Sequence, residues 1–109
     1  IHQVIMNLLD NAIYAVKQHN KLEKKIKIST YQENNSLLVT IENNGEHIPE
    51  GQLSQIFDPF FTTKDPGQGT GLGLAISYTL ISEHNGKIYV KNLEKGVVFI
   101  IELPLEQSV

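Results

Sequence analysis

A run of alternating glycines carries the residues of this chain best suited to binding phosphate. Four of the eight glycines occupy every second position from Gly67 to Gly73. An apolar helical pattern comes directly after it, made up of Leu72, Ala75, Ile76, Thr79 and Leu80. Glycine costs roughly 1 kcal/mol relative to alanine inside a helix, so Gly71 and Gly73 in a first turn need an explanation. Close approach of the backbone to an anion at a helix N-terminus supplies one, and the run therefore predicts a phosphate-binding segment.

Two asparagines in the first predicted helix are the next candidates. Asn7 and Asn11 are four residues apart and share one helix face. Asparagine is a mediocre helix former, so helix propensity does not explain the pair. The plain interpretation is an exposed or internally satisfied polar pair. The functional interpretation directs their carbonyl oxygens at a phosphate or a hard cation, for which Mg²⁺ is suited because it takes few protein oxygens.

Two further segments have both a structural and a functional interpretation. Residues 43–49 come after a predicted strand and contain Asn43 and Gly45, which is typical of an ordinary turn but also of the floor of a pocket. Residues 57–64 hold three of the four phenylalanines and end at Lys64. These rings either pack as core beneath a loop or belong to a hinged lid that brings Lys64 to phosphates.

The periodicity of apolar residues predicts the elements that position these candidates. Ile1, Ile5, Leu8, Leu9, Ala12 and Val16 give one helical stripe. The order of elements predicts an α+β fold, a two-layer sandwich with helices on one face of a mixed, mostly antiparallel sheet. Turn residues predict two hairpins. The predicted helices are 1–19 and 71–84 with a short helical piece at 50–56, and the predicted strands are 25–31, 37–42, 87–92 and 97–103.

Composition bounds the class of protein. The 109 residues suit one domain, 1–109, with 40% hydrophobic and 19% charged residues and a net charge of −3. Scattered lysines predict no nucleic-acid partner, and no apolar run is long enough to predict a membrane span or direct membrane contact. Cysteine is absent, which is compatible with the cytoplasm. The chain begins at Ile1 inside a helical pattern, so we expect a fragment of a longer protein.

Four motifs occur in a specific order. They are Asn-Leu-Leu-Asp-Asn-Ala at 7–12, Asn-x-Gly-x-x-Ile-Pro at 43–49, Phe-Asp-Pro-Phe-Phe-Thr-Thr-Lys at 57–64 and Gly-Thr-Gly-Leu-Gly-Leu-Ala-Ile at 69–76. Together they resemble the ATP-binding domain of bacterial two-component sensor histidine kinases, a fold shared with gyrase, Hsp90 and MutL. The resemblance covers nearly the whole chain and implies a Bergerat-type ATP-binding fold whose N-terminal part is missing here.

The resemblance also implies roles for individual residues. Asn11 would hold Mg²⁺ at the ATP phosphates, with Asn7 assisting one turn away. Asn43 stands where the family usually has an Asp that accepts the adenine amino hydrogen, and an asparagine carbonyl accepts the same bond. Gly45 would let the base approach, and Ile48 would line its pocket.

The remaining implied contacts lie on the helix and the lid. Tyr14 stands where many members have a basic residue, so it would pack on ribose or base. Residues 57–70 would form the ATP lid, with Phe60 in it and Lys64 as the first candidate for a basic phosphate partner. Backbone N–H groups would wrap the phosphates along Gly69, Thr70, Gly71, Leu72, Gly73 and Leu74.

By this resemblance the chain is the catalytic ATP-binding domain of a protein histidine kinase. It would bind Mg-ATP and donate the γ-phosphate to a histidine on the protein's own dimerisation domain, which then passes it to a response regulator receiver domain. The expected parent is a homodimer, with or without a membrane anchor, and this domain is expected in the cytoplasm. None of His2, His19, His47 and His84 is followed by Asp or Glu, so the phosphoacceptor is expected outside this chain, which alone would be inactive as an autokinase.

Three alternative functions use the same fold. An ATP hydrolase of the gyrase or Hsp90 type places a Glu at the position of Asn7, and asparagine cannot take a proton from water. A catalytically silent nucleotide-sensing module is compatible with Asn43 in place of Asp. A serine kinase of the anti-sigma-factor type is the third.

Overall fold

Two helices and two hairpins make up the described parts of the chain, which in this computed structural model are residues 2–18, 23–58 and 73–105. The α-helices and strands lie within two residues of the predicted bounds wherever both ends are described. In chain order the elements are α1 (His2–Lys17), β1 (Ile26–Glu33), β2 (Ser36–Asn43), a short 3-10 helix (Glu50–Gln52), α2 (Gly73–Glu83), β3 (Lys87–Leu93) and β4 (Gly96–Pro104).

Both predicted hairpins are confirmed. Strands β1 and β2 pair antiparallel across the two-residue turn at Asn34 and Asn35, where Asn34 takes a φ of 56°. Asparagine tolerates this left-handed conformation better than most residues, which suits it to a tight hairpin. Strands β3 and β4 pair antiparallel across Glu94 and Lys95.

The sheet has the strand order β1-β2-β4-β3. Strand β4 is therefore central, and its apolar run from Val97 to Ile101 is buried throughout, as expected for a strand covered on both faces. All three pairings between the described strands are antiparallel. Helix α1 contacts β2 and helix α2 contacts β3. The predicted α+β two-layer sandwich is confirmed.

The core lies between the helices and one face of the sheet. Helix α1 buries residues at strict four-residue spacing, which places them on one stripe. Val4, Leu8 and Ala12 belong to one core cluster with Ile81 of α2 and with side chains on one face of the sheet. The buried residues of α1 are Val4, Leu8, Ala12 and Val16, and those of β2 and β4 include Ile41, Val97, Phe99 and Ile101.

The buried face of α2 does not follow its apolar pattern. Ile76, which belongs to that pattern, is 43% exposed, whereas Ser77 and Ile81 are fully buried. Ser77 has polar partners inside the protein: its hydroxyl donates to the Gly73 carbonyl at 2.9 Å. A serine whose hydrogen bonds are satisfied is buried at little cost.

The opposite face of the sheet has a small apolar cluster of its own. Leu38, Val98 and Ile100 are buried there by their neighbours on adjacent strands. Tyr89 pairs directly with Ile100 at the β3 edge. Burial, and secondarily the Glu102 carboxylate, raises the pKa of the Tyr89 hydroxyl above its ordinary value, so the phenol stays neutral over a wider pH range.

Gly96 should be indispensable for stability, because it begins β4 with a φ of +143° and is buried against Asn43. A Cβ at this position would collide with the Asn43 carbonyl oxygen. We expect Gly96→Ala to lower the free energy of unfolding by about 2–4 kcal/mol, measured by urea denaturation. The control is Gly51→Ala, where a Cβ meets nothing within 4 Å. Equal stability of the two variants would contradict the constraint.

Candidate functional site

Asn7 ties the two helices together. Its amide nitrogen donates to the Gly73 carbonyl at 3.1 Å and to the Ser77 hydroxyl at 3.2 Å. Gly73 is the first residue of α2, so the contact fixes the beginning of that helix against α1. The Asn7 nitrogen is thereby committed, and its carbonyl oxygen is the atom left for other contacts.

Asn11 lies one turn further along α1 and is half-buried. Over residues 2–18, 23–58 and 73–105, its carboxamide makes no hydrogen bond. A half-buried amide with free donor and acceptor groups is uncommon enough to mark a candidate contact for a ligand. Tyr14 lies three residues beyond and is also half-buried.

Asn43 ends β2 on the helix-facing side of the sheet and is only 5% exposed. Its Oδ1 accepts a hydrogen bond from the Gly45 backbone N–H at 2.8 Å. This bond determines which end of the carboxamide is the oxygen, because a backbone N–H requires an acceptor. The Asn43 Oδ1 atom keeps a second lone pair, which can accept another hydrogen bond.

Gly45 lets the loop after β2 approach α1 closely. A Cβ at Gly45 would lie 2.9 Å from the Ala15 carbonyl oxygen and 2.9 Å from Asn43 Oδ1. Both distances are too short for a carbon atom, so any larger residue would push the loop away from the helix. Glycine at position 45 is thus required by the backbone of α1, and the predicted approach of a base to Gly45 stays a prediction.

Asn44 holds one flank of the same loop. Its Oδ1 accepts from the Lys25 N–H and its Nδ2 donates to the Glu23 carbonyl, both at 2.9 Å. The side chain thus joins the loop to the segment that leads into β1. Sequence reasoning assigned no such role to Asn44, because a pairing between distant backbone segments leaves no periodic pattern.

Asn92 and His47 hold the other flank. The Ile48 N–H donates to Asn92 Oδ1 at 2.9 Å, and Asn92 Nδ2 donates to the Ile48 carbonyl at 2.8 Å. His47 Nε2 lies 2.5 Å from the Leu93 carbonyl oxygen and donates to it. Both contacts attach the loop to the end of β3, and neither has a signal in the sequence.

These contacts arrange the candidates along one face of α1. The loop after β2 meets the helix at Ala15, and the start of α2 meets it at Asn7. The two points are eight residues apart, or about 12 Å along an α-helix, with Asn11 midway between them. The face therefore has a loop at one end, a helix N-terminus at the other and the Asn11 carboxamide in the middle.

Phe57, the first residue of the predicted lid, packs against two aromatic rings. Its ring lies 5.6 Å from that of Tyr78 on α2 and 6.2 Å, edge to face, from that of Phe99 on β4. Such pairs stabilise beyond the area they bury. Gly73 and Leu74 lie in the first turn of α2, and Leu74 packs on the core. The predicted positions Phe60, Lys64, Gly69, Thr70, Gly71 and Leu72 lie outside the described residues.

Other kinds of site find no support in the described ranges. Within them, no group of three His, Cys, Asp or Glu side chains could hold a metal ion. A cation at this site would therefore depend on amide oxygens and on its ligand. The helices that the structure describes are each too short or too polar to cross a bilayer.

Comparison with known sequences identifies the family. The family of histidine kinase-, DNA gyrase B- and HSP90-like ATPases matches residues 1–107. This chain belongs to it. The curated relatives include sensor histidine kinase ZraS of Salmonella typhimurium, 41% identical over 104 residues, which are 94% of this chain and 21% of the relative. Sporulation kinase E of Bacillus subtilis is 38% identical over 109 residues, which are 99% of this chain and 14% of that kinase.

Solved structures of the family have the same fold. The catalytic domain of histidine kinase ThkA superposes with a TM-score of 0.80 at 48% identity, covering 94% of this chain and 64% of that one. ThkA in complex with the response regulator protein TrrA superposes with a TM-score of 0.77 at 42% identity, covering 95% of this chain and 28% of that one. The present chain spans about a fifth or less of the length of the curated kinases it matches.

The tether from Asn7 to α2 should contribute measurably to stability. Asn7→Ala removes both hydrogen bonds that join this side chain to α2. We expect the free energy of unfolding to fall by about 1–3 kcal/mol in urea denaturation. Gln3→Ala, at an exposed position of the same helix, should change it by less than about 0.5 kcal/mol. A loss at Asn7 no larger than at Gln3 would contradict the tether.

Proposed function

We propose that the chain binds Mg-ATP along the face of α1 between Asn7 and Ala15 and presents the γ-phosphate to a histidine on an adjoining dimerisation domain. The observation that carries the proposal is the arrangement on α1. A loop with a buried asparagine lies at one end of the face and the N-terminus of α2 lies at the other, with Asn11 between them. A helix N-terminus favours phosphate, so the nucleotide would extend from the loop to α2.

The base would lie at the loop end of this face. Asn43 Oδ1, already accepting from Gly45, would use its second lone pair for the adenine amino group. Ile48, half-buried in the same loop, would supply apolar contact. Tyr14, half-buried on α1, would pack on ribose or base.

The phosphates would lie at the α2 end. Gly73 and Leu74 would offer backbone N–H groups, continuing a run that begins at Gly69. At Gly73 a Cβ would meet only the Asn7 carboxamide, at 3.8 Å, so packing among the described residues does not demand glycine there. A ligand that approaches the backbone would demand it.

The residues present fit a magnesium ion. The Asn11 carboxamide is half-buried and has no hydrogen-bond partner among the described residues, and Asn7 keeps its carbonyl oxygen. Mg²⁺ is bound by few protein oxygens together with water and substrate phosphates, so one or two amides suffice. Asn11 would hold the ion, which when bound offsets charge on the phosphates.

Phosphotransfer to histidine suits the site better than hydrolysis. A hydrolase needs a base to activate water, and Asn7, at the position where gyrase-type enzymes have Glu, has its nitrogen committed to Gly73 and Ser77. A histidine acceptor is itself the nucleophile, so this domain only has to position the phosphate. Steady-state ATP hydrolysis by the chain would contradict this choice.

The proposed partners are inferred from the relatives. ZraS and sporulation kinase E are named as kinases several times longer than this chain, and ThkA is seen in complex with a response regulator protein. We propose that this domain likewise acts in a dimeric parent, with a dimerisation domain that carries the phosphoacceptor, and signals to a receiver domain. Its use of ATP would place it in the cytoplasm.

Removal of the Asn11 carboxamide tests the assignment of the cation. We expect Asn11→Ala to abolish the Mg²⁺-dependent part of ATP affinity and to leave the fold intact, because the side chain makes no hydrogen bond within the described ranges. Calorimetry with and without Mg²⁺ measures the effect, and circular dichroism checks the fold. Asn35→Ala, in the exposed β1–β2 turn, is the matched control. An unchanged Mg²⁺ dependence would remove Asn11 from the site.

Gly73→Ala should separate stability from binding. The added methyl group has room, with Asn7 Cγ at 3.8 Å, and alanine favours a helix over glycine by up to about 1 kcal/mol. Unfolding in urea should therefore show unchanged or higher stability. Calorimetry should show ATP affinity lowered by about tenfold or more, because the methyl group blocks approach to the backbone. Unchanged affinity would mean that phosphate does not approach Gly73.

A further inference from the structure

The carboxamide of Asn92 supplies the hydrogen-bond partners of Ile48 in the loop after β2. Residues 44–49 form no strand or helix. The Asn44 N–H and the Pro49 carbonyl bond to other backbone groups, whereas both backbone groups of Ile48 bond to a side chain. Asn92 accepts from the Ile48 N–H at 2.9 Å and donates to the Ile48 carbonyl at 2.8 Å. An asparagine amide presents one donor edge and one acceptor edge, so it pairs with residue 48 as a neighbouring strand would.

The place of this contact gives it more than a packing role. Ile48 is followed by Pro49, which has no N–H to donate, so the Ile48 pair is the last backbone donor and acceptor pair before the 3-10 helix. A second hydrogen bond between this flank and β3 joins His47 to Leu93 at the exposed end of the strand. Asn92 holds the residue nearer to the 3-10 helix and therefore determines how far the end of the loop lies from the sheet.

We propose that Asn92 is a positioning residue that sets base selectivity by holding Asn43 and Ile48 in register. The inference rests on the proposed function, which assigns those two residues to the base. Asn44 fixes the loop on the β1 side, and Gly45 brings it against Ala15. Loss of the Asn92 pair leaves the bond from His47 to Leu93 on the third side. It releases Ile48, which can then move relative to Asn43, whose oxygen is fixed by Gly45.

The consequence is confined to one end of the nucleotide. The start of α2 is held separately, by Asn7 through Gly73 and Ser77, about 12 Å away along α1. A loosened loop weakens contacts to the base and leaves contacts to the phosphates unchanged. A general loss of stability would weaken both.

The test compares ATP with inorganic tripolyphosphate, each bound in the presence of Mg²⁺ and measured by calorimetry. We expect Asn92→Ala to lower ATP affinity about tenfold and to leave tripolyphosphate affinity within about twofold, since two hydrogen bonds to the loop are lost. Selectivity for ATP over GTP should shrink as well. The control is Val90→Ala, on the same strand and the same face of the sheet, which should lower stability without changing either ratio.

A second readout needs no ligand. The Ile48 amide donates to Asn92, so its hydrogen exchange, monitored by NMR, should accelerate about tenfold or more in Asn92→Ala and not in Val90→Ala. Two results would overturn the role of Asn92: unchanged exchange of the Ile48 amide, or a ratio of ATP affinity to tripolyphosphate affinity equal to that of the Val90 variant. Neither result would affect ATP binding by the unaltered protein. Failure of the unaltered protein to prefer ATP over tripolyphosphate overturns the assignment of the base site itself.

Discussion

The close approach of two backbone segments to α1 is the constraint on which the candidate site depends. One segment meets the helix where Gly45 lies against the Ala15 carbonyl, and the other where Asn7 binds the Gly73 carbonyl. At the first contact the two backbones are too close to admit a Cβ at residue 45. At the second, a hydrogen bond requires the Asn7 nitrogen and the Gly73 carbonyl oxygen to stay near 3 Å apart. The separation of the two segments is therefore set by the rise of a single rigid helix.

Asparagine side chains complete this arrangement by replacing regular backbone pairing. Asn44 and Asn92 satisfy both flanks of a loop that belongs to no strand, and Asn43 satisfies its first turn. The bonds of Asn44 are exposed to solvent. Those to Ile48 and Gly45 are part-buried or buried, and a buried donor or acceptor left unpaired costs about 1–3 kcal/mol. Because side chains occupy these backbone groups of the loop, they are not available for pairing with a further strand.

Sequence reasoning predicted the features that arise from local pattern and missed those that depend on distant partners. The period of Leu8, Ala12 and Val16 located α1, and the turn residues at 34 and 35 located a hairpin. The burial of Ser77 on α2 has no local signal, because the apolar pattern includes Ile76 instead and the partner of Ser77 lies 70 residues away on α1.

Strand β4 is a second feature with a local sequence pattern, whereas the contact between Asn92 and Ile48 is a second feature without one. The uninterrupted apolar run from Val97 to Ile101 was an available signal that β4 is central, because a strand covered on both faces needs apolar residues in both directions. The contact at Asn92 has no comparable signal, because its partner is the backbone of residue 48 and a backbone group carries no side-chain identity.

The tether at Asn7 also bears on which reaction the fold supports. A carboxylate at this position has no N–H, so it could not donate to the Gly73 carbonyl, and two oxygens would face each other across that contact. Such a residue would serve as a base only if α2 were held in another way. In this chain the side chain that fixes the beginning of α2 is Asn7, which stands where gyrase-type hydrolases have the Glu that activates water. Positioning of α2 and activation of water would therefore require different groups at one residue, and the amide supports the proposal of phosphate transfer to an external nucleophile.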